Sequence, residues 1–236
     1  DFKAPPTATG FGSNPSASSV FGNLLYTPIA VDLFGLPYSN PLDGSSIYYR
    51  PSNDIQHPLW TVNNSFTGQK INRIFGNMSV KYDIAKNMNI MYRVGYDQYG
   101  DYNYYSQNKG GVVGGNDFQL GFHRTVAGFN MIWDHSLLYN WQADLNSDWR
   151  LNVDAGLNSQ DRNYEQIGQR SVQQLVYGLF DHDNFVIHDN NTEDGGRIDF
   201  KSRFLSLGAF AQGLLSYKEY LFFTVGGRNS WSSNLE

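Results

Sequence analysis

An all-β fold is what the sequence predicts: an antiparallel segment of transmembrane β-barrel, about six strands of wall with long extracellular loops. Three observations lead there. Apolar and polar residues alternate with period two in six segments, short polar turns join the segments in pairs, and the connections at the opposite end are long. Composition agrees with an ordered chain. The 236 residues include 37 Phe, Tyr and Trp against 39 charged side chains, the reverse of the charge-rich, aromatic-poor make-up that keeps chains unfolded. A net charge of −5 and scattered lysines and arginines argue against a nucleic-acid binder, which needs a basic face. With no cysteine there is no disulfide, thiolate metal site or thiol nucleophile.

No stretch approaches the roughly 20 consecutive apolar residues of a membrane helix, and mean hydropathy is −0.47. A barrel wall alternates lipid-facing and lumen-facing residues, so that average does not speak against it. The chain starts without Met or an apolar leader and stops directly after a strand-like run, and is read as an internal piece of a longer protein.

Residues 1–70 are expected to form an extracellular loop region, and 71–236 a partial barrel. In the first strand pair, about 72–98, Ile74, Met78, Val80 and Tyr82 oppose Arg73, Asn77, Ser79 and Lys81. After a turn at 83–88, Ile90, Tyr92, Val94 and Tyr96 oppose Asn89, Arg93 and Asp97. In the second pair, about 129–160, Phe129, Met131, Trp133, Leu137, Tyr139 and Trp141 oppose Asn130, Asp134, Ser136 and Asn140. Leu151, Val153, Ala155 and Leu157 then oppose Arg150, Asn152, Asp154 and Asn158. The third pair, about 204–231, turns at Lys218-Glu219 and alternates more softly, because Phe204, Phe210, Leu214 and Phe222 fall on the wrong faces.

Every charged residue of the six segments (Arg73, Lys81, Arg93, Asp97, Asp134, Arg150, Asp154 and Arg228) sits opposite the apolar set. On a barrel this is explained by the cost of about 2–4 kcal/mol for Lys or Arg on the lipid face at the midplane. A soluble sandwich sorts its charges as cleanly, and periodicity alone does not say which side is inside. Loop asymmetry favours the barrel. Connections of roughly 100–127 and 161–203 are long for a compact soluble domain, whereas short turns at one rim and long loops at the other are the ordinary barrel plan. Tyr82, Trp141, Trp149, Tyr217 and Tyr220 flank the short turns, where an interfacial girdle would sit.

Chemistry-bearing motifs are weak. Residues 181–195 gather Asp181, His182, Asp183, His188, Asp189, Glu193 and Asp194, but the spacing departs from a calcium loop, which needs Gly where Asp194 stands. A solvated loop is the default there, with calcium as the ion such a segment would take. Gly110-Gly-Val-Val-Gly-Gly115 lacks the Lys-Ser or Lys-Thr of a phosphate loop. Tyr99, Tyr102, Tyr104 and Tyr105 are candidates for stacking on a ligand or for ordinary packing. His57, His123 and His135 are isolated, and no catalytic constellation shares a local frame. No catalytic, cofactor or metal residue is therefore expected, and no substrate residue is singled out.

One run is more specific. Gly208-Ala-Phe-Ala-Gln-Gly-Leu-Leu-Ser-Tyr-Lys-Glu-Tyr-Leu-Phe-Phe-Thr-Val-Gly-Gly-Arg-Asn-Ser-Trp-Ser-Ser233 resembles a barrel segment of SusC-like (RagA-type) TonB-dependent outer-membrane transporters, which read Tyr-Lys-x-Tyr-Leu and then Gly-Arg-Asn-Asp-Trp-Ser-Ser. Pro58-Leu-Trp60, Val62-Asn-Asn64, Asn72-Arg73 and Tyr92-Arg-Val-Gly-Tyr-Asp-Gln-Tyr99 agree in the same order, so the resemblance covers about residues 55–236. Ser230 stands where the family has Asp and Asn234 where it has Thr. The resemblance implies a barrel of about 22 strands with an N-terminal plug, which is not in this chain. It further implies a SusD-like lipoprotein partner, energy supplied through TonB, a bacterial outer-membrane location, and import of oligosaccharides or peptides with no enzymatic step. The alternatives are a soluble secreted carbohydrate-binding module, with the loop tyrosines as its binding face, and, ranked last, a glycan-cleaving enzyme, for which no carboxylate pair stands out.

Overall fold

In the computed structural model the described residues are 2–4, 20–25, 27–47, 56–111, 120–191 and 197–233. They form eight strands and two short helices: β1 (Phe2–Ala4), α1 (Val20–Leu25), α2 (Pro58–Asn64), β2 (Ser65–Ala85), β3 (Met88–Gln107), β4 (Phe122–Asp144), β5 (Trp149–Gln174), β6 (Phe185–Asp189), β7 (Phe200–Tyr217) and β8 (Leu221–Ser232). The sheet order is β1-β2-β3-β4-β5-β7-β8, with β6 paired to β5. Apart from the short β6, chain neighbours are thus sheet neighbours, as in a barrel wall built from hairpins. The β7–β8 hairpin runs antiparallel from Tyr217↔Leu221 to Ser206↔Ser232 without interruption.

The six long strands match the six alternating segments, but five of them, all except β8, are longer than the alternation predicts. Residues 101–107, 122–128, 161–174 and 200–203, expected in connections, are strand, and so are 65–70, expected in the N-terminal loop region. The reason is physical. A transmembrane strand needs only about 9–11 residues, and outside the apolar medium a strand has no need to keep one face apolar. Strands of 18 to 26 residues therefore carry a polar stretch that period-two reading cannot see. The stretch Asp161-Arg-Asn-Tyr-Glu-Gln166 of β5 is polar on both faces.

The short turns are tight. Lys86 and Asn87 alone join β2 to β3. Between β7 and β8, Lys218 (φ 49°) and Glu219 (φ 60°) are consecutive left-handed residues, the backbone that two-residue hairpins need and that Asn or Gly adopts more easily. The Lys218 N–H donates to the carbonyl of Asp148 at 2.8 Å, and its ammonium lies 3.5 Å from the Asp148 carboxylate, so the adjacent turn holds this one.

The chain divides into two compact units, one of residues 1–71, 101–128 and 166–200, the other of 72–100, 129–165 and 201–236. The first has a small core. Trp60, Phe122, Val172, Phe185 and Ile198 are all nearly inaccessible, and every residue described as both apolar and buried lies in this unit. Around that core the packing is polar. Gln56, Thr61, Ser65 and Gln107 are buried and bonded together, with Ser65 donating to the Gln107 carbonyl at 2.6 Å and Gln56 to Thr61 at 2.7 Å. Asn108 donates to Asn64 (3.0 Å) and accepts from Gln174 (3.1 Å) and the Gly178 N–H (2.9 Å). Gly110, at φ 94°, approaches so closely that a Cβ would lie 2.6 Å from Cα of Ser45.

The second unit buries no large apolar side chain among the described residues. Its apolar set is on the surface: Ile74 is 71% exposed, Met78 62%, Leu157 56% and Phe223 65%. Among the described residues no second sheet covers that face, and the sheet is an antiparallel stretch of β-barrel wall.

Candidate functional site: a polar wall and a hydroxyl–imidazole rim

The opposite face of the second unit is a polar surface assembled across strands. Arg73 of β2 makes a bidentate pair with Asp97 of β3, at 2.9 and 2.6 Å. Asn140 of β4 donates to Asp154 of β5 at 2.7 Å, Gln160 of β5 to Asp134 of β4 at 3.1 Å, and Arg228 of β8 to Asn158 of β5 at 3.4 Å. Arg150 reaches Asp144 at 2.9 Å. The charges expected on one face do share it, and much of that charge is neutralised by neighbours. Between these pairs lies a cavity of about 510 Å³ lined by Lys81, Asn89, Met91, Asp154, Phe210 and Gln212. Its mixed lining of charge, amide and apolar surface suits a polar ligand with some apolar content.

Phe210, out of pattern in the sequence, has a local explanation. Its ring lies over Gly156, where a Cβ would come within 2.5 Å of Cε1. The glycine makes room for an aromatic on the polar face, a pairing that period-two reading does not register.

In the first unit, three histidines expected to be unconnected, or part of a solvated loop, form one network with hydroxyls. His182 contacts Thr125 Oγ1 through Nε2 (2.9 Å) and Ser171 Oγ through Nδ1 (2.7 Å). Ser171 also meets His188 Nδ1 at 2.8 Å, and Ser106 meets His123 Nδ1 at 2.7 Å. The His123 and His182 rings are 4.5 Å apart. The network lies outside the alternating segments; His123 precedes Phe129, the first apolar residue of β4's alternation, by six positions. Burial, then the charge of His182, pushes His123 down to about 4. Burial also lowers His182, with His188 adding to the effect. Both imidazoles are thus neutral at neutral pH, each with one donor and one acceptor nitrogen that a hydroxyl can complement. The network pins the segment 182–189 to β4 and β5, and β6 continues the attachment through the register Ser171↔His188 and Val172↔Ile187.

The other sequence candidates take structural positions. Asp181 caps the turn at 182–184 by accepting from the Asp183 N–H, and Asp189 pairs with Arg170 at 3.3 Å. Glu193 and Asp194 lie outside the described residues, and among those described no group of three or more His, Asp or Glu could hold a metal ion. Of the glycine-rich run only Gly110 and Gly111 are described. Tyr99, Tyr102, Tyr104 and Tyr105 belong to β3 rather than a loop, and Tyr105 packs edge-on against Phe122 at 4.7 Å. His57 caps α2 by accepting from the Leu59 N–H at 3.2 Å. His135 meets the Tyr92 hydroxyl at 2.7 Å and stacks on Trp133. At the short-turn end Trp149 packs on Tyr217, 4.7 Å between centroids, and Tyr217 on Tyr220 at 5.6 Å.

No family model matches the chain, and no curated protein does. Solved structures do match. The RagAB peptide transporter aligns with a TM-score of 0.66 at 12% identity, over 80% of this chain and 20% of that chain. The RagAB peptide importer aligns in its closed-closed state (TM-score 0.63, 12% identity, 79% of this chain and 20% of that) and in its open-open state (0.61, 12%, 81% and 21%). The chain thus spans about a fifth of the chains it matches. In fold, it is a stretch of antiparallel β-barrel wall similar to part of a RagAB transporter chain.

Proposed function

We propose that this chain is part of the wall of a TonB-dependent outer-membrane importer for glycans or peptides, acting with a SusD-like surface lipoprotein and performing no chemistry itself. The observation that carries this reading is the inverted face of the second unit. The apolar residues of its alternating segments are outward and uncovered, while the charges of those segments lie on the other side, most of them in ion pairs and hydrogen bonds. In water this would expose far more contiguous apolar surface than a monomer tolerates, and in lipid it is the stable arrangement. The likeness to RagAB chains supports the same reading. Membrane lipid is then one partner, and the polar face lines a lumen through which an oligosaccharide or peptide passes. The short turns face the periplasm and the long connections the exterior. The soluble carbohydrate-binding module does not account for the uncovered apolar face.

The test is to fractionate cells carrying the full-length native protein, extract the outer membrane with detergent and identify co-purifying proteins by mass spectrometry. Recovery in detergent with a surface lipoprotein is the expected result. A protein found freely soluble and alone would remove this reading.

A further inference from the structure

On the outward face of the second unit, the apolar side chains give way to charged ones within a few residues. On β7, Leu207 and Leu205 are followed towards the strand's start by Arg203 and Lys201; on β5, Leu157 is followed by Ser159, Asp161 and Glu165, all at the same alternation. Arg203 makes a bidentate pair with Asp161 (3.1 and 2.6 Å), and Lys201 meets Glu165 at 2.5 Å. Here the outward face also carries a cavity of about 400 Å³, with Phe129 and Met131 of β4, Gln98 of β3, and Glu165, Lys201 and Arg203 in its lining. An ion-pair ladder by itself needs no cavity. A cavity with an apolar floor and a charged side, placed where the apolar surface ends, has the shape of a headgroup site.

The charges identify the headgroup. Two cations on β7 face two carboxylates on β5, so the site has no net charge to attract a simple anion. A ligand carrying both an anion and an ammonium can exchange with the pairs, its phosphate taking Arg203 and Lys201 and its amine taking Asp161 and Glu165. The phosphate and ammonium replace each protein ion pair with charge-assisted hydrogen bonds of the same kind, so the exchange is close to even, and the acyl chains on the adjoining apolar surface tip it towards binding. Leu205, Leu207 and Leu157, all on the outward face, offer the adjoining surface for acyl chains.

We infer that the outward cavity formed by β3, β4, β5 and β7 binds the headgroup of a zwitterionic, phosphate- and amine-bearing membrane amphiphile. The inference rests on the lipid-facing reading above. The experiment uses the full-length protein, delipidated in mild detergent and placed in bilayer discs of phosphatidylethanolamine, phosphatidylglycerol or phosphatidylcholine, with retained lipid counted by native mass spectrometry. Phosphatidylethanolamine should be retained about threefold to tenfold better than either of the others, a difference of roughly 0.7–1.4 kcal/mol. Arg203→Gln and Glu165→Gln should each abolish that preference. Free phosphoethanolamine at millimolar concentration should compete only weakly, since it lacks the chains; strong competition would assign the site to a soluble phosphoamine and overturn the lipid. Equal retention of the three lipids by the unsubstituted protein, or a preference for phosphatidylglycerol, would overturn the inference without reference to any variant. Failure of the underlying reading would look different: the protein would stay in solution without detergent.

Discussion

At the scale of single residues, the decisive property is which face a side chain takes. Val153 and Gln160 are seven positions apart on β5 and point to opposite sides. Val153→Arg, between Trp149 at the short turn and Asp161, should destabilise the folded barrel by about 2–4 kcal/mol, whereas Gln160→Arg, beside Asp134, should change it by less than about 1 kcal/mol. Urea unfolding of the full-length protein in lipid vesicles measures both, and equal losses would mean the faces are wrongly assigned. Gly156 gives a second residue-scale expectation. A valine there meets the Phe210 ring, and overpacking of this kind costs typically about 1–3 kcal/mol. Gly156→Val should lower the temperature at which the barrel loses its compact gel mobility, and adding Phe210→Ala should restore most of the loss. A double variant no better than the single would show that the ring is not the obstacle. Sequence reading flagged Phe210 as misplaced but had no way to find its glycine, because partner and ring are 54 positions apart.

Whole elements respond to how they are attached. The segment 182–189 is held to β4 and β5 by hydroxyl–imidazole contacts and one short strand pairing, so Ser171→Ala should speed amide exchange there while leaving residues 129–141 protected. The pH dependence follows from His123, buried as a neutral imidazole. Its proton affinity is lower in the folded protein (about 4) than the ordinary 6.5, so the unfolded rim binds more protons than the folded one. The contribution is fully present above pH 6.5, declines as pH falls from 6.5 towards 4, and amounts to about 3 kcal/mol at most. Protection factors at residues 122–125 and 182–189, with the intrinsic pH dependence of exchange divided out, should therefore fall over that window, and His123→Phe should flatten the fall. Alternation located the core of each strand but not its end, because the polar extensions have no solvent-imposed period to read. His182 and His188 were visible as candidates only for a metal loop; their hydroxyl partners Thr125 and Ser171 lie on other strands, far off in sequence.

For the molecule as a whole, the sheet ends in open edges. β8 is last in the order, and at the other end β1 covers only Thr67–Gln69 of β2. On the proposed membrane reading, an edge left unpaired in hydrocarbon would leave backbone groups unsatisfied, so β2 and β8 would each require a pairing partner there. Residues 65–233 produced alone should accordingly precipitate without detergent and show no heat-modifiable compact form with it; a monodisperse, soluble fragment would contradict the wall assignment. The chain by itself determined six strands, their hairpin order and the sorting of charge from apolar surface, because each is written in local period and local turns. Whether anything among the described residues covers the apolar face was decided only by the tertiary structure, since a sandwich and a barrel wall share one alternation and differ in that cover. The polar core around Asn64, Asn108 and Gln174, and the histidine network of the rim, were likewise beyond local reading. They are held by side chains on different elements, 11 to 66 positions apart, and amides and hydroxyls carry no signature of burial until their partners are in place.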